Sequence, residues 1–153
     1  MQPYLLSVKE RVRHWRNFRL SFSKNETDNE QLLKTIKYWN VFPITIGHFL
    51  DVDFPDKWLT PWELISNGNF CQASITYMMM QTLLLSDERW TNDRLQLMYI
   101  DDKEKSSMLL ILVIDNKKVI NYQYDSIIEF DVIKANCIIQ HKYKMIGNKY
   151  KII

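Results

Sequence analysis

From Cys71 to Leu85 the chain runs CQASITYMMMQTLLL, without one charged side chain. Ala73, Ile75, Tyr77, Met78 and Met79 put apolar groups on nearly every side of a helical turn. A helix that is apolar almost all round is stable only when it is covered on all sides. The stretch is well short of the ~20 residues that cross a bilayer. It therefore predicts a buried central helix, with the rest of the chain wrapped about it. The Met78-Met79-Met80 run inside it reads as core filler.

The flanking patterns differ on the two sides of this segment. On the N-terminal side, Tyr4, Leu5, Val8, Val12, Trp15 and Phe18 recur at spacings of three and four, an amphipathic helix. A polar break at 23–29 follows, where Thr27 or Asp28 caps a second helix carrying Leu32, Leu33, Ile36 and Trp39. Pro43 and Pro55 punctuate a loop-rich connection over 40–60. Thr60-Pro61-Trp62-Glu63 then has the signature of a capping box with proline at the first helical position, opening a short helix that ends near Asn67-Gly68. On the C-terminal side, after the polar stretch 86–93, the pattern turns to strands. Leu95–Ile100 is one. Met108–Ile114 is a continuous apolar run, as in a strand covered on both faces. Asp115-Asn116-Lys117-Lys118 makes a turn, and Val119–Tyr124 returns as the hairpin partner. Ala135–Tyr143 and Lys149–Ile153 are two more, joined at Ile146-Gly147-Asn148. Helices over 1–90 and strands over 95–153 define an α+β class with a largely antiparallel sheet, built as one domain over 1–153.

Composition narrows the function classes. With 46% hydrophobic and 25% charged residues and a net charge of +2, the chain has the make-up of a globular domain rather than a disordered or membrane-spanning one. The start, MQPYLLSVKERVRHW, becomes charged before any signal-peptide core develops, so the expected location is cytoplasmic. Cys71 and Cys137 are then reduced thiols. Abundant Ile, Lys, Asn and Tyr and scarce glycine are what AT-rich codons impose, which points to an AT-rich genome such as a phage's. Five basic residues between Lys9 and Arg19, and five lysines between Lys134 and Lys151, are interleaved with Phe18, Tyr143 and Tyr150. At this low net charge they read as solvated faces, and nucleic acid is not an expected partner. Asn25-Glu26-Thr27 is a glycosylation sequon, without meaning in an unsecreted chain. No phosphate loop, dinucleotide fingerprint or zinc spacing occurs, so no cofactor and no metal are expected.

Cys71 carries the chemical interest. It lies just past Asn67-Gly68-Asn69, at the start of the buried helix, where the helix dipole and free N–H groups favour a thiolate. The plainer reading is a small buried hydrophobe. A cysteine nucleophile also needs a base, usually a histidine held by a third group. His14 lies among arginines on the first helix, as on a solvated face, and His48 lies in the loop region. His141 sits on a late strand.

The stretch from Asp53-Phe54-Pro55-Asp56-Lys57-Trp58 through Thr60-Pro61-Trp62-Glu63 to Gly68-Asn69-Phe70-Cys71 resembles the nucleophile region of the bacterial transglutaminase-like cysteine proteinases. Their pattern is an aspartate, a tryptophan, Thr-Pro-x-Glu-Phe, a glycine and Asp-Cys-Glu-Asp leading into a helix. The strand Met108–Val113 and the return ending Tyr122-Gln123-Tyr124-Asp125 match the family's second half, so the resemblance spans roughly 10–130. It implies a papain-like fold, with a cysteine-bearing helix packed on an antiparallel sheet. Carried over residue by residue, Cys71 stands at the nucleophile and Asp125 at the orienting acid. The histidine position is occupied by Met108, or by Ser107 in a register shifted by one. A thioether exchanges no proton near neutral pH. The acidic neighbours that ligate calcium in the family are Phe70 and Gln72 here, and Ca²⁺ requires 6–8 oxygen ligands. The resemblance thus implies a degenerate member that keeps the fold, lacks the hydrolase and acts by binding a protein partner. The alternative is a cysteine hydrolase or acyltransferase using Cys71 with His141 as an unusual base. A third reading is a small nucleic-acid binder using the basic termini.

Overall fold

In a computed structural model, which describes residues 2–47 and 50–153, four helices precede a six-stranded sheet. Helix α1 spans Val8–Leu20 and opens at Ser7, whose hydroxyl accepts the Glu10 N–H. Tyr4 and Leu5 fall outside it, in a separate 3₁₀ turn at Pro3–Leu5. Proline favours the start of a short turn, and the Ser7 cap begins a new helix. Helix α2 covers Asp28–Asn40, with Thr27 as the cap. Helix α3, Pro61–Asn67, has both halves of the capping box between Thr60 and Glu63, and ends at Gly68 with φ 80°. Arg11 fixes that end. Its buried guanidinium donates to the carbonyls of Ile65 at 2.6 Å, Ser66 at 2.8 Å and Leu6 at 2.9 Å. Helix α4, Gln72–Leu84, is the uncharged segment, and residues Ser74 to Leu83 are all buried. The indole N–H groups of Trp15 and Trp39 both donate to Thr82 Oγ1, at 3.0 and 2.9 Å, tying α1 and α2 to α4.

The strands are β1 Leu95–Asp102, β2 Ser107–Ile114, β3 Lys118–Ile120, β4 Ile127–Glu129, β5 Cys137–Ile146 and β6 Lys149–Ile152, with helix α5, Phe130–Lys134, between β4 and β5. Their order across the sheet is β4-β3-β2-β1-β5-β6, and each neighbouring pair is antiparallel. β2 is covered on both faces. Leu110, Leu112 and Ile114 join the core under the helices, whereas Ile111 and Val113 pack with Met98, Ile100, Val119, Phe130 and Ile133 on the far side.

Several sequence-based boundaries need correction. The return strand stops at Ile120 instead of Tyr124, because Asn121 adopts φ 60° and turns the chain out of the ladder. Strand β4 and helix α5 go beyond the sequence pattern, so the C-terminal half is not purely sheet. The amphipathic signal of α5 is only five residues long, and Phe130 and Ile133 alone mark its buried side. β5 begins at Cys137 and continues to Ile146, placing the turn at Gly147-Asn148. Among the described residues no helix is long and apolar enough to cross a membrane.

Candidate functional site

The start of α4 is built from short polar contacts. Phe70 is fully buried, and the Thr45 N–H donates to its carbonyl at 2.8 Å, laying the 44–45 segment alongside it. Cys71, half-buried, caps α4 in extended geometry. Its N–H donates to Ser74 Oγ at 2.9 Å and its thiol lies 3.5 Å from the same oxygen, while the Ser74 hydroxyl donates to the Cys71 carbonyl at 3.2 Å. A serine hydroxyl has one proton and two lone pairs, so these contacts use Ser74 completely.

Gln72 ties this turn to the sheet. Its amide donates to the Leu110 carbonyl at 2.7 Å and accepts the Leu110 N–H at 2.9 Å. In the antiparallel ladder Leu110 is opposite Tyr99, and the bonded pair Arg94–Asp115 sets the alternation that turns Leu110's polar groups away from β1. They point to the side where β3 would lie had it not left the sheet at Asn121. The Gln72 amide takes the place of the missing strand. Thr76 Oγ1 also reaches the Leu110 carbonyl at 2.8 Å and accepts from Asn121 Nδ2 at 2.6 Å. The sequence pattern marks none of Ser74, Thr76 and Asn121 as functional, and marks Gln72 only as a replaced calcium ligand. The signal for Asn121 is a residue tolerant of positive φ at the end of an apolar run.

The pleat separates the two residues aligned with the family's histidine. Side chains alternate along β2, and Leu110, Leu112 and Ile114 face α4. Met108 shares that face and is 44% exposed, opposite Asp101, whereas Ser107 is on the far face opposite Asp102. Asp125 lies in the β3–β4 connection at φ 55°, not on a strand, and its carboxylate accepts from Asn40 Nδ2 at 2.8 Å at the end of α2. His141, on β5, has Nε2 3.0 Å from Asp53 Oδ1, and its ring stacks on Tyr99 with centroids 6.1 Å apart. Burial first, then the Asp53 carboxylate, push the Tyr99 phenol above its ordinary pKa. His141 is opposite Tyr99, which is opposite Leu110. Two interstrand spacings, about 10 Å, therefore separate β5 from β2. His14 is half-buried with Nδ1 3.1 Å from the Tyr38 hydroxyl, which corrects its reading as a solvated side chain. His48 lies outside the described residues.

Beside the Gln72 turn a cleft of ≈ 180 Å³ is lined by Trp39, Asn40, Phe42, Ile44, Asn121 and Tyr124, among others. The positions flanking Cys71 do not suit a calcium ion. Phe70 is core, and the Gln72 amide is consumed by Leu110. Among the described residues no three His, Cys, Asp or Glu side chains converge to hold a metal.

No protein-family model matches the chain, and no curated protein sequence does. Solved structures do. Calcium-bound LapG of Legionella pneumophila superposes with a TM-score of 0.69 at 17% identity, covering 96% of this chain and 88% of that one. The EGTA-treated form gives 0.67 at 17% identity, covering 92% and 83%. The chain shares the fold of LapG. LapG is a bacterial transglutaminase-like cysteine protease. The mixed arrangement of helices on an antiparallel sheet is consistent with that α+β transglutaminase-like class. At this identity the likeness concerns the fold, and the bound calcium belongs to LapG.

Proposed function

We propose that this chain is a non-catalytic member of the LapG-like fold that acts by binding a protein partner. The observation that supports it most is the occupant of the α4 face of β2 at the Cys71 end of the helix: Met108, a thioether without a proton to exchange. Among the described residues the Cys71 sulfur hydrogen-bonds with Ser74 alone. Hydrolysis by cysteine requires a thiolate and a proton donor for the leaving group, and general acid–base help is typically worth about 10²–10⁴-fold. In this reading the protein works as one domain, in the cytoplasm, without a cofactor, and in the host cell if phage-encoded.

One observation favours the second reading, a hydrolase or acyltransferase. His141 is paired with a carboxylate, as catalytic imidazoles are, although the acid is Asp53 rather than Asp125. Its strand lies on the other side of β1 from β2. The two readings separate in one experiment. Cys71→Ala and His141→Ala are compared with wild type in the native host-cell phenotype, with circular dichroism as the folding control. The binding reading expects both variants to behave as wild type. Folded variants that both abolish the phenotype replace it with the enzyme reading.

A further inference from the structure

The outer side of α1 is basic. Of the five basic residues between Lys9 and Arg19, Arg11 is consumed by the end of α3. Lys9, Arg13 and Arg16 are exposed, and Arg19 is half-buried. Among the described residues none of these four has a carboxylate within 4.0 Å. Glu10 is the one acid on this helix, and Glu63 at the start of α3 accepts the Thr60 N–H at 3.0 Å within its own cap. Arg13, Arg16 and Arg19 succeed one another at spacings of three, so they are surface neighbours whose like charges repel. Burial first, then the Arg16 charge, hold the Arg19 guanidinium below its ordinary pKa. Arg19 is nonetheless fixed in place. Its guanidinium carbon is 4.2 Å from the Trp15 ring centre and 6.0 Å from that of Trp62. Trp15 is fully buried and meets Trp62 edge-on, with centroids 6.0 Å apart. Arg19 Nε is buried without a hydrogen-bond partner. A cation stacked on rings and paired with no acid is already partly desolvated and oriented, which lowers the cost of taking an anion.

The groups beside the arginines select the occupant. Trp62 is 46% exposed on the α3 side of Arg19, and Leu20, 68% exposed, follows Arg16 at i+4 on the outer side. Arginine and tryptophan in one patch are the make-up of protein-binding hot spots. A nucleic-acid backbone makes no use of an exposed leucine, and it is held by basic grooves longer than this one, on chains more basic than +2. A second copy of this chain, paired about a two-fold axis through this patch, sets the same arginines against each other. We propose that the Arg16–Arg19–Trp62 face binds an acidic amphipathic segment of a protein partner, with carboxylates taking the guanidinium forks of Arg16 and Arg19 and apolar side chains covering Trp62 and Leu20. This rests on the partner-binding reading above and names its surface.

The test uses fluorescein-labelled dodecapeptides of glutamate with leucine, glutamine with leucine, and glutamate with serine, beside a labelled single-stranded DNA, each titrated with the whole protein by anisotropy. The glutamate–leucine peptide is expected to bind and to weaken with salt. The other two peptides and the DNA should bind about tenfold more weakly or worse. Arg16→Glu and Arg19→Gln should each weaken the glutamate–leucine peptide about tenfold, as loss of a hot-spot arginine does. Arg19→Lys keeps the charge and loses the planar fork, so it should stay weaker than wild type. Arg16 is exposed, and Arg16→Glu decides the matter if the Arg19 variants fail to fold. Equal binding of the glutamate and glutamine peptides, tighter binding of the DNA, no binding at all, or unchanged affinity in folded Arg16→Glu overturns the proposal. If Arg16→Glu keeps the native phenotype and its cross-linked partner, the face is wrong while partner binding stands. Loss of the phenotype in folded Cys71→Ala and His141→Ala sinks partner binding instead.

Discussion

Replacing Gln72 with glutamate swaps the NH₂ of the amide for an oxygen and leaves the shape nearly unchanged. In the native structure that NH₂ donates to the Leu110 carbonyl at 2.7 Å, and the amide oxygen accepts the Leu110 N–H at 2.9 Å. Glutamate keeps the acceptor half and loses the donor half. The Leu110 carbonyl is not orphaned, because Thr76 Oγ1 still donates to it at 2.8 Å. The amide also makes a long 3.4 Å contact to Thr76 Oγ1, too weak at that length to add much, so the cost is one net hydrogen bond, about 1 kcal/mol, plus the penalty of setting a partly desolvated carboxylate against a carbonyl, about another 1 kcal/mol. The sum, about 2 kcal/mol at pH 7, moves a urea midpoint by about 1 M for an m-value near 2 kcal/mol/M. Once protonated, the introduced carboxyl donates as the amide does. Its folded pKa should therefore lie above its unfolded value of about 4.3. The penalty is absent below that unfolded pKa and develops as pH rises through the folded one. Urea titrations of wild type and Gln72→Glu at pH 7 and pH 4 measure both. A loss below about 0.5 kcal/mol at pH 7, or the same loss at both pH values, refutes the view that this amide completes the ladder.

Three further outcomes follow from the structure. A Cβ on Gly68 lies 2.7 Å from Arg11 Nη2, and the backbone there has φ +80°; Gly68→Ala should cost roughly 2 kcal/mol or more, read by chemical denaturation, and an unchanged midpoint contradicts the fit. Hydrogen bonding by the Arg94 guanidinium, at 2.9 and 2.8 Å, holds the Asp115 carboxyl below its usual value. The stability it contributes is present above the unfolded pKa and lost as pH falls through the lowered folded one, so Asp115→Asn should flatten the acid limb of the wild-type stability curve. Calcium at sub-millimolar concentration should leave the melting temperature unmoved, since a cation bound by the native state alone raises it; a clear rise, abolished by chelator, shows a site that these residues do not suggest.

Much of the architecture follows from local chemistry. The uncharged run at 71–85 dictates a buried helix, because no other place satisfies apolar groups on every side. Thr60, Pro61 and Glu63 start α3, and Gly68 ends it, through contacts made within a few residues. The apolar run at 108–114 reads as a strand covered on both faces, and both faces are packed. These features depend on neighbours close in sequence, so the pattern suffices. The site depends on neighbours far apart. Whether Met108 or Ser107 shares the helix face is a matter of pleat parity, which one residue of slip reverses. Asp125 leaves the sheet because Asn121 takes a left-handed conformation, and its carboxylate then meets Asn40, 85 positions away. His141 meets Asp53 across 88 positions, and Gln72 meets Leu110 across 38. Such pairings have no periodicity and no local propensity. Only the folded chain brings the partners within hydrogen-bonding distance, and the same folding turns Tyr143 and Tyr150 inward and leaves Lys142, Lys144 and Lys151 on the opposite face.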